Sequence, residues 1–490
     1  MKKWPLYVGG AVLLLGGAMA ARTAMFAPDA VGTGKGISVA SAPTFDGNLA
    51  AQHLSQAVQI QTVSHQDPAE NQPGEWTKLH DWLTATYPKA SAAMQRQELG
   101  QTLVYTWPGS DPSAQPIILM AHQDVVPVTP GTEKDWKHAP FAGEIAEGAV
   151  WGRGSVDDKG SLVALFEALD ALAGQGFKPK RTIILVSGFD EEVGGTGAKA
   201  AVDWLKSRGT KALFTIDEGG LIATDTPMIN GPAAMIGIAE KGYVTLKVTA
   251  PATGGHSSAP PSPDKIGTIN LAKALLAIEA KQFPLELRGP SEAMVSVLAA
   301  KAGGVNKLVI ANRWIFGGVI LSKMGDNPAS AAMLHTTIAP TMLIGSPKEN
   351  VLPQTATALI NYRIAPWDTS ANVLEHTRAA VTALPVTVDL NGGAMSEPSP
   401  VSSTNSPGWN LIAATIGAER PGLTVSPYLV VAGTDSKHFS PVSQDVYRFQ
   451  MLNFASGDIK MIHGTNEHMS LDNLASMIRF YARLVATAAG

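Results

Sequence analysis

The chain has 490 residues, 45% of them hydrophobic and only 16% charged; this is material for about three domains, or two with one large, and it excludes a disordered chain. The 37 Lys and Arg against 41 Asp and Glu leave a net charge of −4, which gives no basic footprint for nucleic acid. With no cysteine, a disulfide framework, a thiol nucleophile, a thiolate metal site and a lipidated N-terminal cysteine are excluded, so any metal must be held by His, Asp and Glu.

Lys2 and Lys3 precede an uncharged stretch from Trp4 to Ala21, and Ala18-Met19-Ala20 fits a small-x-small cleavage site. Residues 1–22 therefore read as a secretory signal or, left uncut, as an N-terminal membrane anchor. The expected location is exported: periplasmic or extracellular, or membrane-anchored. A Gly/Ala/Pro/Ser stretch over 23–44 reads as a flexible linker, with folded sequence expected from Phe45.

Three short apolar runs come next: Pro116 to Ala121, Thr182 to Val186 and Ala212 to Ile216. None alternates, so each reads as a strand buried on both faces of a parallel sheet. Ser161 to Ala173 and Thr196 to Ser207 have helical apolar spacing and lie between these runs. The alternation predicts a mainly parallel α/β sheet with right-handed crossovers. After Gly242 the pattern changes. Tyr243 to Thr249 alternates as a strand with one wet face, and helix and strand signals recur up to Leu390. An α+β domain is expected as an insertion over 241–393, with 285–339 as a long insertion inside it. The core domain would then comprise 45–240 and 394–490.

Each buried run leads into polar residues of one kind. His122-Gln123-Asp124 come after the first, Asp190-Glu191-Glu192 after the second, and Asp217-Glu218-Gly219-Gly220 after the third. Open α/β sheets bind ligands beyond the carboxyl ends of their strands, so one crevice would receive a histidine and several carboxylates. Asp157 and Asp158 before a helix, and a late His463, add to the set. Two metals need a bridging carboxylate and separate terminal ligands, which this set supplies. In the adjacent Glu191-Glu192, one carboxylate can bind metal while its neighbour works on water. Gly195-Thr196-Gly197-Ala198-Lys199-Ala200 fits a relaxed dinucleotide fingerprint, but the two glutamates before it would repel a pyrophosphate.

The runs His122 to Pro127, Gly152 to Gly160, Asp190 to Gly195 and Asp217 to Gly220, with Gly254-Gly255-His256-Ser257-Ser258 and Ile462-His463-Gly464, resemble the zinc carboxypeptidase/aminoacylase family, most of all its carboxypeptidase S branch. The resemblance spans about Phe45 to the C-terminus. It implies a zinc-peptidase catalytic domain with an inserted lid or dimerisation domain, and two Zn2+ per chain, with Co2+ or Mn2+ as substitutes. Asp157 would bridge the metals, His122 and Asp217 would complete one site, and Glu192 and His463 the other. Asp124 would orient His122, and Glu191 would be the general base. His256, often from the partner subunit of a homodimer, would donate to the developing oxyanion. Arg363 would clamp the substrate carboxylate, with Asn350, Gly433 and Thr434 as further contacts. Lys437-His438 departs from the family pattern, where Arg or Lys precedes an aromatic. The implied activity is hydrolysis of an amide beside a free-carboxylate amino acid, as a carboxypeptidase on short peptides. The alternatives are an N-acyl amino acid deacylase with the same mechanism and, more remotely, an inactive binding protein.

Overall fold

The computed structural model describes residues 4–28, 31–393 and 395–490, with side chains from Val12 onward; Lys2 and Lys3 of the basic start, and residue 394, lie outside them. The chain opens with helix α1 (Trp4–Met25). Among the described residues, no helix is long and apolar enough to cross a membrane.

The stretch expected to be a flexible linker is instead laid along the body. Trp409 Nε1 donates to the carbonyl of Gly32 at 2.7 Å, and Ala40 N donates to Thr487 Oγ1 at 3.0 Å. Gly34, at φ +64°, lies so close to the helix Pro407–Glu419 that a Cβ there would come within 2.5 Å of the Asn410 carbonyl. Val31, Ala42 and Phe45 pack on the main core. Small residues here serve close approach rather than freedom, and packed sequence begins before Phe45.

The strands β1 (Gln95–Leu99), β2 (Thr102–Trp107), β3 (Ile117–Met120), β4 (Ile183–Ser187), β5 (Phe214–Asp217), β6 (Leu221–Thr226) and β7 (Gly231–Glu240) come first. Four strands then form a sheet of their own: β8 (Gly242–Pro251), β9 (Thr337–Ile344), β10 (Thr355–Ile364) and β11 (Thr387–Leu390). Finally β12 (Thr424–Val430), β13 (Val446–Arg448) and β14 (Asn453–Phe454) return to the first sheet. The large sheet has the order β1-β2-β4-β3-β5-β13-β7-β6-β14, with β12 beside β7. β4, β3, β5 and β13 run parallel.

Every residue of β3, β4 and β5 is buried, as non-alternating apolar runs require. Ile117 and Leu119 face a core shared with helix α2 (Lys159–Gly174), while Ile118 and Met120 face one shared with helix α3 (Thr196–Ser207). The sheet is thus covered on both sides.

The small sheet has the order β9-β10-β8-β11 and is antiparallel throughout. On β8 the residues alternate as the sequence predicts: Val244, Leu246, Val248 and Ala250 are buried against helix α4 (Gly267–Ala280). The helices α5 (Pro290–Ala302), α6 (Gly304–Ala311) and α7 (Arg313–Gly325) do not join this second core. Met294, Val295, Leu298, Ile310 and Ile320 pack on Ala233 and Met235 of β7 and beside Tyr428 of β12. The 285–339 segment, expected inside the inserted unit, therefore packs its helices on the edge region of the large sheet.

Candidate active site

The site lies where β3, β4 and β5 end. His122 follows β3, the Asp190–Glu192 turn follows β4, and Glu218 follows β5. Asp157 comes from the turn before α2, and His463 from the loop before the C-terminal helix.

Asp157 is the centre of this arrangement. Its Oδ1 lies 2.9 Å from His122 Nε2 and its Oδ2 3.1 Å from His463 Nε2. Glu192 Oε2 is also 3.1 Å from His463 Nε2. Among the described residues, two groups place one ligand atom from each member within 4.8 Å of the others: His122, Asp157 and Glu218, and Asp157, Glu192 and His463. The groups share Asp157.

Asp217 lies in neither group, and its Oδ2 accepts from Ser436 N at 2.9 Å. Successive residues leaving a strand point to opposite sides, so Asp217 ties down the 433–436 loop and Glu218 faces His122, at 3.7 Å from its Nε2. The Asp-Glu pair was visible in sequence, but which of the two faces inward was not.

His122 is oriented by its own turn. Its Nδ1 lies 2.9 Å from the carbonyl oxygen of Asp124 and 3.3 Å from the Asp124 carboxylate. Those oxygens accept, so the proton belongs on Nδ1 and Nε2 is left to face the acids. The fully buried Asp124 does more. Its carboxylate accepts from Glu191 N (3.1 Å), Glu192 N (3.2 Å) and Ser64 Oγ (2.6 Å). One side chain thus fixes the histidine and the two-glutamate turn. Asp190, the third acid of that run, caps α3 by accepting from Thr196 N at 2.9 Å and Gly197 N at 2.8 Å.

Glu467 and Arg153 are positioning residues to which the sequence reading gave no role. The buried Glu467 accepts from Val156 N (2.9 Å) and Asp157 N (3.1 Å), and it pairs with Arg153 Nη1 at 2.6 Å. Arg153 Nη2 donates to the carbonyl of Gly464 at 2.8 Å. This pair links the Asp157 turn to the loop of His463, which is held at φ +59°. Arg153 lies inside the Gly152 to Gly160 run singled out for Asp157, and Glu467 lies three residues beyond Ile462-His463-Gly464.

The electrostatics show what the cluster wants. Burial pushes the Glu191 carboxyl well above the usual glutamate range; His122 opposes this, and the charges of Asp435 and Glu192 add to it. Burial likewise raises Glu218 well up, with Asp157 and Asp158 adding repulsion, and raises Glu192 beside Asp157. Burial works against ionisation of Asp157 too, but hydrogen bonds from His122 and His463 hold it below the usual range. Hydrogen bonds to Asp157 and Glu192 push His463 up to about 10. The donors are all imidazole nitrogens and carboxylate oxygens, the set that suits a borderline divalent cation, and a shared carboxylate suits two of them.

The remaining predicted residues lie apart from these groups. His256 is exposed, on the short strand Gly255–His256 paired with Val351–Leu352, and its Nδ1 is 2.8 Å from Ser258 Oγ. Asn350 accepts from Ser257 N through its carbonyl at 3.1 Å. Arg363, on β10, places its guanidinium over the Tyr243 ring, 4.9 Å from the centroid. Gly433 precedes Thr434, whose N and Oγ1 each donate to Glu240 Oε2 at 3.0 Å; Arg448 Nε holds the same oxygen at 3.2 Å. His438 stands where an aromatic was expected, and burial takes its pKa down to about 4, so it is a neutral ring at physiological pH.

Residues 118–487 match the model of peptidase family M20/M25/M40. The chain belongs to this family. It is 35% identical over 440 residues to an N-fatty-acyl-amino acid synthase/hydrolase of Danio rerio, covering 88% of this chain and 84% of the relative. It is 32% identical over 484 residues to carboxypeptidase S of Saccharomyces cerevisiae, covering 88% and 83%. Among solved structures, an M20 family metallo-carboxypeptidase from Sulfolobus solfataricus superposes with a TM-score of 0.66 at 16% identity, over 90% of this chain and 99% of that one. The protein is therefore a hydrolase of a metal-dependent peptidase family, and the resemblance read from its motifs holds.

Proposed function

We propose that the chain is a di-zinc amidohydrolase that cleaves the amide on the amino side of a free-carboxylate amino acid, as a carboxypeptidase on short peptides. The observation that carries this reading is Asp157, with one carboxylate oxygen facing each of two histidines and Glu191 in the turn beside them. His122, Asp157 and Glu218 would hold one cation, and Asp157, Glu192 and His463 the other, with Co2+ or Mn2+ able to substitute. When bound, such cations polarise a carbonyl and lower the pKa of water. Glu191, not used as a ligand here, takes the proton from the attacking water and delivers it to the leaving nitrogen. Asp124 keeps Glu191 in register through its backbone amide. His256 donates to the oxyanion when the inserted unit closes, from a partner subunit if the chain dimerises through that unit. Arg363 pairs with the substrate carboxylate in a two-pronged contact. Domain boundaries at about 240 and 394, and export of the chain on the strength of its N-terminal sequence, complete the proposal.

The relatives favour a second reading with the same chemistry, deacylation of N-acyl amino acids, since several are N-fatty-acyl-amino acid synthase/hydrolases. One experiment tests both. Amine release from an N-blocked dipeptide and from a long-chain N-acyl amino acid is measured with and without chelator. Chelator-sensitive cleavage restored by zinc supports the metallohydrolase, and the preferred substrate decides between peptidase and deacylase. No cleavage of either with zinc present, in protein that binds the metal, would leave the inactive binding protein.

A further inference from the structure

The N-terminal helix is docked on the helical insertion. The fully buried Asn312, at the junction of α6 and α7, donates through Nδ2 to Met19 O at 3.3 Å and to Thr23 Oγ1 at 3.0 Å. Arg22 Nε donates to Ala311 O at 3.4 Å. Phe26 packs beside the cluster of Met294, Ile310 and Ile320. Met19, Arg22, Thr23 and Phe26 recur at helical spacing, so one face of the N-terminal segment is committed to the protein. The free portion is apolar: Val12, Leu13 and Leu14 are 62–78% exposed.

The insertion that receives this helix is itself unusual on its outer side. Val305, Trp314 and Val319 are 56–76% exposed, and Ile315 is also exposed. From Lys301 to Gly325 the chain carries four cations, Lys301, Lys307, Arg313 and Lys323, and no acid, although the whole protein has a net charge of −4; Arg313 pairs with Glu292 of α5 and Lys323 with Asp326, while Lys301 and Lys307 lie outside these pairs. Exposed large apolar residues grouped in one unit mark an interaction surface. Trp and aliphatic side chains mixed with Lys and Arg are what the headgroup layer of an anionic bilayer accepts. A second copy fits less well, because a two-fold contact would set these cations against themselves.

We propose that α6 and α7, with the docked α1, form a surface that lies on an anionic lipid bilayer, and that α1 is retained as part of it. This goes beyond the hydrolytic reading and does not depend on it.

The test is flotation of the full chain with vesicles of phosphatidylcholine alone or with phosphatidylserine added. The expected result is co-flotation that is strong with the anionic vesicles and weakens with salt. Two exposed-surface variants complete the test: Trp314→Glu with Val319→Glu, and Lys307→Glu with Lys323→Glu. Each is expected to cut the vesicle-bound fraction about tenfold at an unchanged melting temperature, as loss of apolar insertion or of charge attraction should. If the apolar pair fails to fold, the charge pair decides alone. A full chain that does not float would overturn the proposal. So would flotation that neither variant weakens, an intact mass showing loss of residues 1–20, or a dimer that Trp314→Glu dissociates without any vesicle binding.

Discussion

The crevice and the inserted unit are built on opposite plans. In the crevice each functional side chain is held by others: Asp124 by Ser64 and two amides, Asp157 by two histidines and by Glu467 through its backbone, Thr434 by Glu240. On the inserted unit, His256 is exposed with Ser258 beside its ring, and Arg363 rests on a tyrosine face. A site for charge must be fixed before the charge arrives, because reorganisation during the reaction would cost what electrostatic stabilisation supplies. A group that meets the substrate on closure needs the reverse, freedom to travel. The comparison teaches that metal-binding geometry and substrate closure are separable here, and substitutions should separate them.

The largest effect is expected from Glu191→Gln. Loss of the base should lower kcat about 10²–10⁴-fold while bound metal, measured on the purified protein, stays unchanged. A variant with full activity would remove Glu191 from its role. His256→Ala comes next. An oxyanion donor is worth about 10²–10³ in kcat, and because the residue is exposed, neither metal content nor melting temperature should move. Loss of metal in this variant would erase the distinction between the two regions.

Glu467→Ala sharpens the comparison from the other side. It touches no substrate, yet it leaves Arg153 buried without its carboxylate, which typically costs about 3–5 kcal/mol. The denaturation midpoint should fall and metal should bind more weakly; a wild-type midpoint would show that the Asp157 turn does not need this pair. The smallest effect concerns the seam. Buried Lys241 donates to the carbonyls of Ala332 and His335 at 2.9 and 2.8 Å, and burial takes its pKa down to about 7. The unfolded chain, with an ordinary lysine pKa near 10.4, binds this proton more tightly than the folded one. Stability therefore rises with pH between about 7 and 10. Lys241→Met should flatten that rise in melting curves across the window, and an unchanged slope would assign it to other groups.

Much of this was legible in the sequence where one physical rule dominates. The non-alternating runs at 117–120, 183–187 and 214–217 are buried on both faces because parallel strands under helices must be. The acids and the histidine that follow them converge because the ends of neighbouring parallel strands converge. What escaped the reading depends on approach in three dimensions. The 23–44 stretch looked like a linker by composition, but Gly32 and Gly34 let it lie against a helix nearly four hundred residues away in the chain. The helices at 290–325 have apolar faces that fit either sheet, and periodicity does not say which. Asp217 and Glu218 differ only in the side of the strand they leave from. Glu467 and Arg153 act through backbone amides and a carbonyl, which no side-chain motif records.

The large sheet has a further consequence for when the protein can work. Strand β13, at 446–448, sits between β5 and β7, and His463 comes later still. As the chain is synthesised from its N-terminus, the sheet keeps a gap in its middle until nine-tenths of the residues have been made, and the second histidine arrives after that. A nascent chain of that length carries the acids of the two groups but not His463. The order of the strands alone therefore leaves the candidate site incomplete until late in synthesis.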